Sequence, residues 1–170
     1  MEELWYVYDR FKRKTGKIIK RDSEERLQDG EYHLVVTGIL NNSENKILIS
    51  RRSPRKKLYP NLWECTSGSV KLGETSIEAI KREIYEEIGI DLVRDKGRYL
   101  GTIQQNDYFR EIWLFSKNIE DGEIFFNDKE VVEVKWVTKE KYREMYKKNE
   151  IVPTGEAILN LLDREREDER

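Results

Sequence analysis

The 170-residue chain carries 37% hydrophobic side chains, with four Trp, nine Tyr and five Phe, enough for one domain with a proper core but not for two. Its 32 basic and 34 acidic residues leave a net charge of −2, which gives no general attraction to nucleic acid or to a membrane surface. The lone Cys65 excludes an intrachain disulfide framework, MEELWYVYD lacks a signal-peptide pattern, and no run reaches the ~18 apolar residues of a membrane span, so a cytoplasmic location is expected.

Leu4–Tyr8 reads as a strand, Lys14–Lys17 (KTGK) as a turn, and Ile18–Arg21 as a second short strand. Ser23–Leu27 reads as a short helix that Asp29–Gly30 ends. Tyr32–Leu40 (YHLVVTGIL) is rich in β-formers, and a polar turn at Asn41–Asn45 leads to a returning strand, Lys46–Ser50. Residues 51–60 form a basic loop holding Arg51, Arg52, Arg55, Lys56 and Lys57, after which Trp63–Ser67 lead into a glycine, Gly68. Thr75 and Glu78 form a capping box, and Gly89 suits the position just past a helix end. The ~14 residues between them make roughly 20 Å of helix. Arg98–Gln104 and Arg110–Ser116 read as an antiparallel pair around Asn106–Asp107, and Val131–Val137 as a further strand. One helix runs from Thr138 to about Lys147 and another from Pro153 to Leu162, leaving DREREDER as a frayed fringe. There is no repeat, low-complexity linker or internal boundary, so residues 1–170 are expected to form one domain.

The Thr75–Gly89 helix has two faces. Ile77, Ile80, Ile84 and Ile88 recur at spacings of 3, 4 and 4 and make an apolar stripe for burial. Glu83, Glu86 and Glu87 share a second face, where like charges cost roughly 0.2–0.5 kcal/mol per pair. The plain account of such a run is a solvated acidic surface. The alternative is a metal site, because clustered carboxylates are hard oxygen ligands that suit Mg²⁺ or Mn²⁺.

The spacing of Gly68, Glu74, Arg82, Glu83, Glu86, Glu87 and Gly89, with aliphatic Ile84 and Ile90, resembles a complete Nudix box, G-x5-E-x7-R-E-U-x-E-E-x-G-U. Chance supplies such a match at below roughly one in ten million starting positions. The resemblance covers roughly residues 30–163. It implies an α+β Nudix fold, with a mixed β-sheet in an α/β/α sandwich. It also implies Glu83, Glu86 and Glu87 as metal ligands with the Ser67 carbonyl beside them, Glu83 or Glu87 as positioners of water, and Arg82 with Glu74 as the pair tying the loop to the helix. Gly68 permits close backbone approach. Glu78 is explained by capping and stands outside the site. Some members of the family carry a base outside the box; Glu111 and Glu130 are candidates here, and the plain account of Glu130 is a solvated turn residue. Arg51 and Arg52 are candidates for binding substrate phosphate, against a simple solubilising loop. Tyr59 and Trp63 are candidates for stacking, with the core as the default for Trp63.

Residues 1–30 resemble an N-terminal β extension of Nudix proteins related to isopentenyl diphosphate isomerase, and His33, which belongs to that pattern, reads as a packed residue. Those isomerases place a Cys directly before the box Gly and a His directly after it. Here the positions are Ser67 and Ser69, and Cys65 lies two residues too early. The resemblance therefore implies a Mg²⁺-dependent pyrophosphohydrolase whose partner is a small-molecule diphosphate, such as a nucleoside diphosphate linked to another moiety. It is compatible with a homodimer. An isomerase-like enzyme and a non-catalytic nucleotide-sensing module are the alternatives.

Overall fold

In the nine-residue strand His33–Asn41, Val36, Gly38 and Leu40 point to one face while Thr37 and Ile39 point to the other, and a helical layer covers each face. The computed structural model describes residues 2–120, 122–126 and 129–168. Strands β1 (Leu4–Tyr8) and β2 (Lys14–Lys20) form an antiparallel hairpin. The remaining strands are β3 (His33–Asn41), β4 (Ile47–Arg52), β5 (Trp63–Glu64), β6 (Ser67–Ser69), β7 (Arg98–Gln104), β8 (Tyr108–Ser116) and β9 (Val131–Val137). They make one sheet in the order β5-β4-β3-β8-β7, with β6 joined to β3 and β9 to β4. The β3–β8 pair is parallel and the other pairs are antiparallel, so the sheet is mixed.

Helix α1 (Ser76–Ile88) packs Ala79, Ile80, Ile84 and Ile88 against Val36, Leu40 and Leu48. On the opposite face, α2 (Lys139–Lys147) and α3 (Gly155–Asp168) bring Tyr142, Met145, Ile158 and Leu159 onto Ile39, Ile49 and Ile112. This is the expected α/β/α sandwich. The hairpin joins it through a two-way backbone bridge between Tyr8 and Tyr32, at 2.7 and 2.9 Å. The ends of α1 follow local chemistry. Thr75 and Glu78 cap each other's backbone N–H, and Gly89 adopts φ 75°, where a Cβ would be strained, while donating its N–H to Tyr85 O.

Several local expectations are corrected. KTGK is not the hairpin turn: the reversal lies at Asp9–Arg13, where the Asp9 carboxylate accepts the N–H groups of Phe11 and Arg13 and Lys12 takes φ 59°. KTGK instead lies within β2, where the register shift between Tyr6 and Tyr8 makes a bulge and Gly16 adopts φ 88°. Ser23–Leu27 forms no helix but a bend at Ser23 and Glu24 followed by irregular chain, since Asp22 reverses the chain at φ 59° and Lys17 draws Glu25 and Glu31 into ion pairs. So short a helical segment has no stability of its own. Strand β4 runs on through Arg52, so the basic loop starts later than expected. The fringe after Leu162 stays helical to Asp168, with Asp163 held by Lys139 and Arg143.

Gly38 sets how closely α1 approaches the sheet. A Cβ there would stand 2.7 Å from both Ile80 Cγ1 and Ile84 Cδ1. Gly38→Ala is expected to cost about 1–3 kcal/mol by overpacking, read as a lower urea midpoint at unchanged slope.

Candidate active site

The short strand β6 is the floor on which the site is built. Gly68 lies directly under α1, where a Cβ would fall 2.1 Å from the Glu83 carboxyl carbon, so only glycine lets that carboxylate rest against the strand. Arg82 ties the loop to the helix through a two-pronged contact with Glu74, Nε to Oε1 at 2.6 Å and Nη2 to Oε2 at 2.9 Å. Its Nη2 also donates to Ser69 O, and its Nη1 to Glu83 Oε1 at 2.6 Å and Glu86 Oε2 at 3.1 Å.

Glu87 differs from its neighbours. It is buried, and its Oε2 has no hydrogen-bond partner. Loss of water, then repulsion from Glu64 and Glu83, pushes its carboxyl up to about 8. Burial likewise raises Glu83 and Glu64, opposed by the guanidiniums of Arg82 and Arg52 respectively. Glu86 is about half exposed. With the side chains as they stand, no three acidic, His or Cys groups among the described residues converge as a ready-made metal cage.

Two cavities meet at β6 and share Ser67, Gly68 and Ser69. One, of about 420 Å³, is walled by Glu83, Glu86 and Glu87 together with Glu130, which is ion-paired to Lys56. The other, of about 590 Å³, is walled by Tyr59, Tyr108, Arg52, Glu64 and Arg110, with the segment entering α3 on its far side.

A NUDIX domain model matches residues 31–157 of the chain, which include α1 and both cavity floors. The chain belongs to the Nudix hydrolase family. It is 33% identical over 156 residues to an uncharacterized Nudix hydrolase of Listeria innocua, covering 90% of this chain and 89% of that protein. It is 26% identical over 151 residues to an isopentenyl-diphosphate Delta-isomerase of Corynebacterium diphtheriae, covering 82% and 80%. The crystal structure of the Deinococcus radiodurans protein DR0079 superposes with a TM-score of 0.77 at 22% identity, covering 93% of this chain and 98% of that one. As a Nudix hydrolase the protein acts on phosphoanhydride bonds, and members of this family generally use divalent metal ions.

The Nudix box thus delivers Glu83, Glu86 and Glu87 to one cavity, with Ser67 and Glu130 in its wall. Other candidates stand elsewhere. Arg51 and Arg52 are consecutive strand residues and diverge: Arg52 reaches the second cavity paired with Glu64, whereas Arg51 pairs with Glu133 at 3.0 Å and lines neither cavity. Glu111 lines neither cavity; it holds Lys12 of the hairpin. Trp63 is buried core, with the Lys135 ammonium 3.7 Å from its ring centroid. His33 stacks on Trp5 at 4.5 Å and also edges the second cavity. Cys65 faces the α2–α3 core, where burial pushes its thiol up to about 12. It lines neither cavity, so a ligand in either one is out of its reach.

Glu64 and Arg110 were missed at the level of sequence. A signal for Glu64 existed: a carboxylate between Trp63 and Cys65, in a strand otherwise bound for the interior, needs a partner or a task. Arg110 gave none, because Arg-Glu on a strand reads as an ordinary polar pair.

Two outcomes follow from this geometry. Above about pH 4.5 the unfolded chain releases the Glu87 proton, whereas the folded metal-free protein keeps it up to about pH 8. Stability of the metal-free protein therefore falls as pH rises through that window, and Glu87→Gln flattens the fall in Tm measured in chelator. Gly68→Ala is expected to displace the Glu83 carboxylate and reduce hydrolysis about 10–100-fold, with the circular-dichroism spectrum unchanged.

Proposed function

We propose that the protein is a divalent-metal-dependent pyrophosphohydrolase that cleaves a nucleoside diphosphate linked to another moiety, or a similar diphosphate, by attack of water at phosphorus. The observation that carries this reading is the Glu87 carboxylate, buried with an unpartnered oxygen in the wall of a cavity that also holds Glu83, Glu86 and Glu130. Ionised, that buried oxygen would have no donor, and a hard cation such as Mg²⁺ or Mn²⁺ would satisfy it. Glu83, Glu86, Glu87 and the Ser67 carbonyl would hold that cation. Once bound, it neutralises phosphate charge and lowers the pKa of water.

The chain's own residues supply the rest. Arg82 fixes Glu83 and Glu86 relative to the loop, and Gly68 leaves room for the Glu83 carboxylate on β6. The Lys56 ammonium orients Glu130, whose carboxylate accepts the proton of the attacking water in the same cavity. The second cavity falls in the usual size range for a small-molecule site, and the rings of Tyr59 and Tyr108 in its wall suit stacking on a planar base. Ser67 and Ser69 flank the box glycine and Cys65 is sealed in the core, which favours hydrolysis over isomerisation. All the box carboxylates are present, which favours catalysis over mere sensing.

The test is release of a monophosphate from a panel of nucleoside diphosphate derivatives with and without Mg²⁺. Turnover is expected only with metal, and Glu86→Gln and Glu87→Gln are each expected to lower it by at least about 100-fold. No turnover on any member, with ligand binding unchanged in both variants, would sink the hydrolase reading.

A further inference from the structure

Near the junction of the two cavities, the arginine side chains are committed to carboxylates with one exception among the described residues. Arg52 is held by Glu64, Arg82 by Glu74 and Arg21 by Glu3. Arg110 lines the second cavity and has no ion-pair partner among the described residues. Its Nη1 donates to two hydroxyls, Thr37 Oγ1 at 2.6 Å and Ser67 Oγ at 3.1 Å, and those hydroxyls are themselves bonded at 2.8 Å. Its Nε is buried with no acceptor. The Tyr108 ring lies 5.2 Å from the guanidinium carbon, two residues back on the same face of β8.

We propose that Arg110 is a phosphate-binding residue that holds the half of the diphosphate facing the second cavity; the identity of this ligand rests on the hydrolase reading above. Tying β3, β6 and β8 together through Thr37 and Ser67 needs only a neutral donor. A guanidinium in that place brings a charge and unused N–H groups that the described fold does not engage. Glu64 is near enough to sense the charge, which favours its ionised form, but its direct contact is with Arg52. The position fits the geometry of the substrate. Ser67, which Arg110 touches, belongs to the strand shared by both cavities, so an anion on that strand has the acidic helix on one side and this guanidinium on the other. The carboxylate cavity needs metal to accept a phosphate, whereas the Arg110 side does not. The two hydroxyls and the Tyr108 ring fix the planar fork in advance, so little side-chain freedom is lost on binding.

The test is calorimetric titration of the metal-free protein, in chelator, with inorganic phosphate. Saturable binding by the wild type is expected. Affinity should weaken about tenfold or more in Arg110→Gln, since a charge-assisted contact is lost, with Arg110→Lys intermediate. The KM for the diphosphate substrate is expected to rise in the same order. Absence of saturable binding to the wild type up to about 20 mM, the weak end of measurable affinity, overturns the proposal. So does equal affinity in wild type and folded Arg110→Gln. Should that variant fail to fold, equal affinity in Arg110→Lys overturns it instead, because the lysine lacks the fork. The two readings fail separately. Metal-free phosphate binding that depends on Arg110, in a protein that hydrolyses nothing, sinks the hydrolase reading alone, whereas hydrolysis without such binding sinks this one.

Discussion

The burial of one isoleucine stripe determines where every carboxylate of the site goes. Ile80, Ile84 and Ile88 lock the rotation of α1 against β3, and each fully buried aliphatic side chain contributes roughly 1.5–3 kcal/mol. That gain is large enough to carry Glu87 under with them, because Glu87 precedes Ile88 and follows Ile84 by three. The helix therefore does not choose to bury a carboxylate; its apolar face leaves no other rotation. Glu86, one residue earlier, stays half exposed, and Glu83 is intermediate. A gradient of desolvation thus runs along a single face, set by packing and not by charge.

The positive groups are apportioned just as tightly. Arg82 is spent on the loop and on two box carboxylates, Arg52 on Glu64, and Lys56 on Glu130. These pairs leave the carboxylate cavity acidic at its helix wall while preventing it from swelling open through mutual repulsion. The closed pairs and the open, buried oxygen of Glu87 belong to one balance, since a site with every acid neutralised internally has no affinity left for a cation.

Much of this was legible in residue order, and what was legible was local. Thr75, Glu78 and Gly89 mark helix ends by chemistry acting within four residues, and the isoleucine period sets the buried face. The sandwich and the gathering of the three box glutamates follow from that helix and its flanking strands. Long-range context overrode sequence elsewhere. KTGK has the composition of a turn, yet Asp9 captures the reversal five residues earlier. Ser23–Leu27 has weak helical preference, and ion pairs to Lys17 redirect it. Arg51 and Arg52 look alike in a basic run, but a strand sends them to opposite sides. Glu64 and Arg110 acquire meaning only once β4, β6 and β8 are neighbours in space.

The parallel pairing of β3 with β8 also has a kinetic consequence. Thr37 and Arg110 are 73 residues apart, and a parallel pair cannot close through a tight turn. The chain between them includes β4, β5, β6, α1 and β7, so the loop-closing entropy is met only when much of that intervening structure is already in place. The hairpin and α1 can organise from nearby contacts, whereas the Thr37–Ser67–Arg110 junction belongs among the last features to assemble. A nascent chain that has not yet emerged past β8 has its acidic helix but not Arg110, so the phosphate contact proposed for that residue would arrive late in the making of the protein.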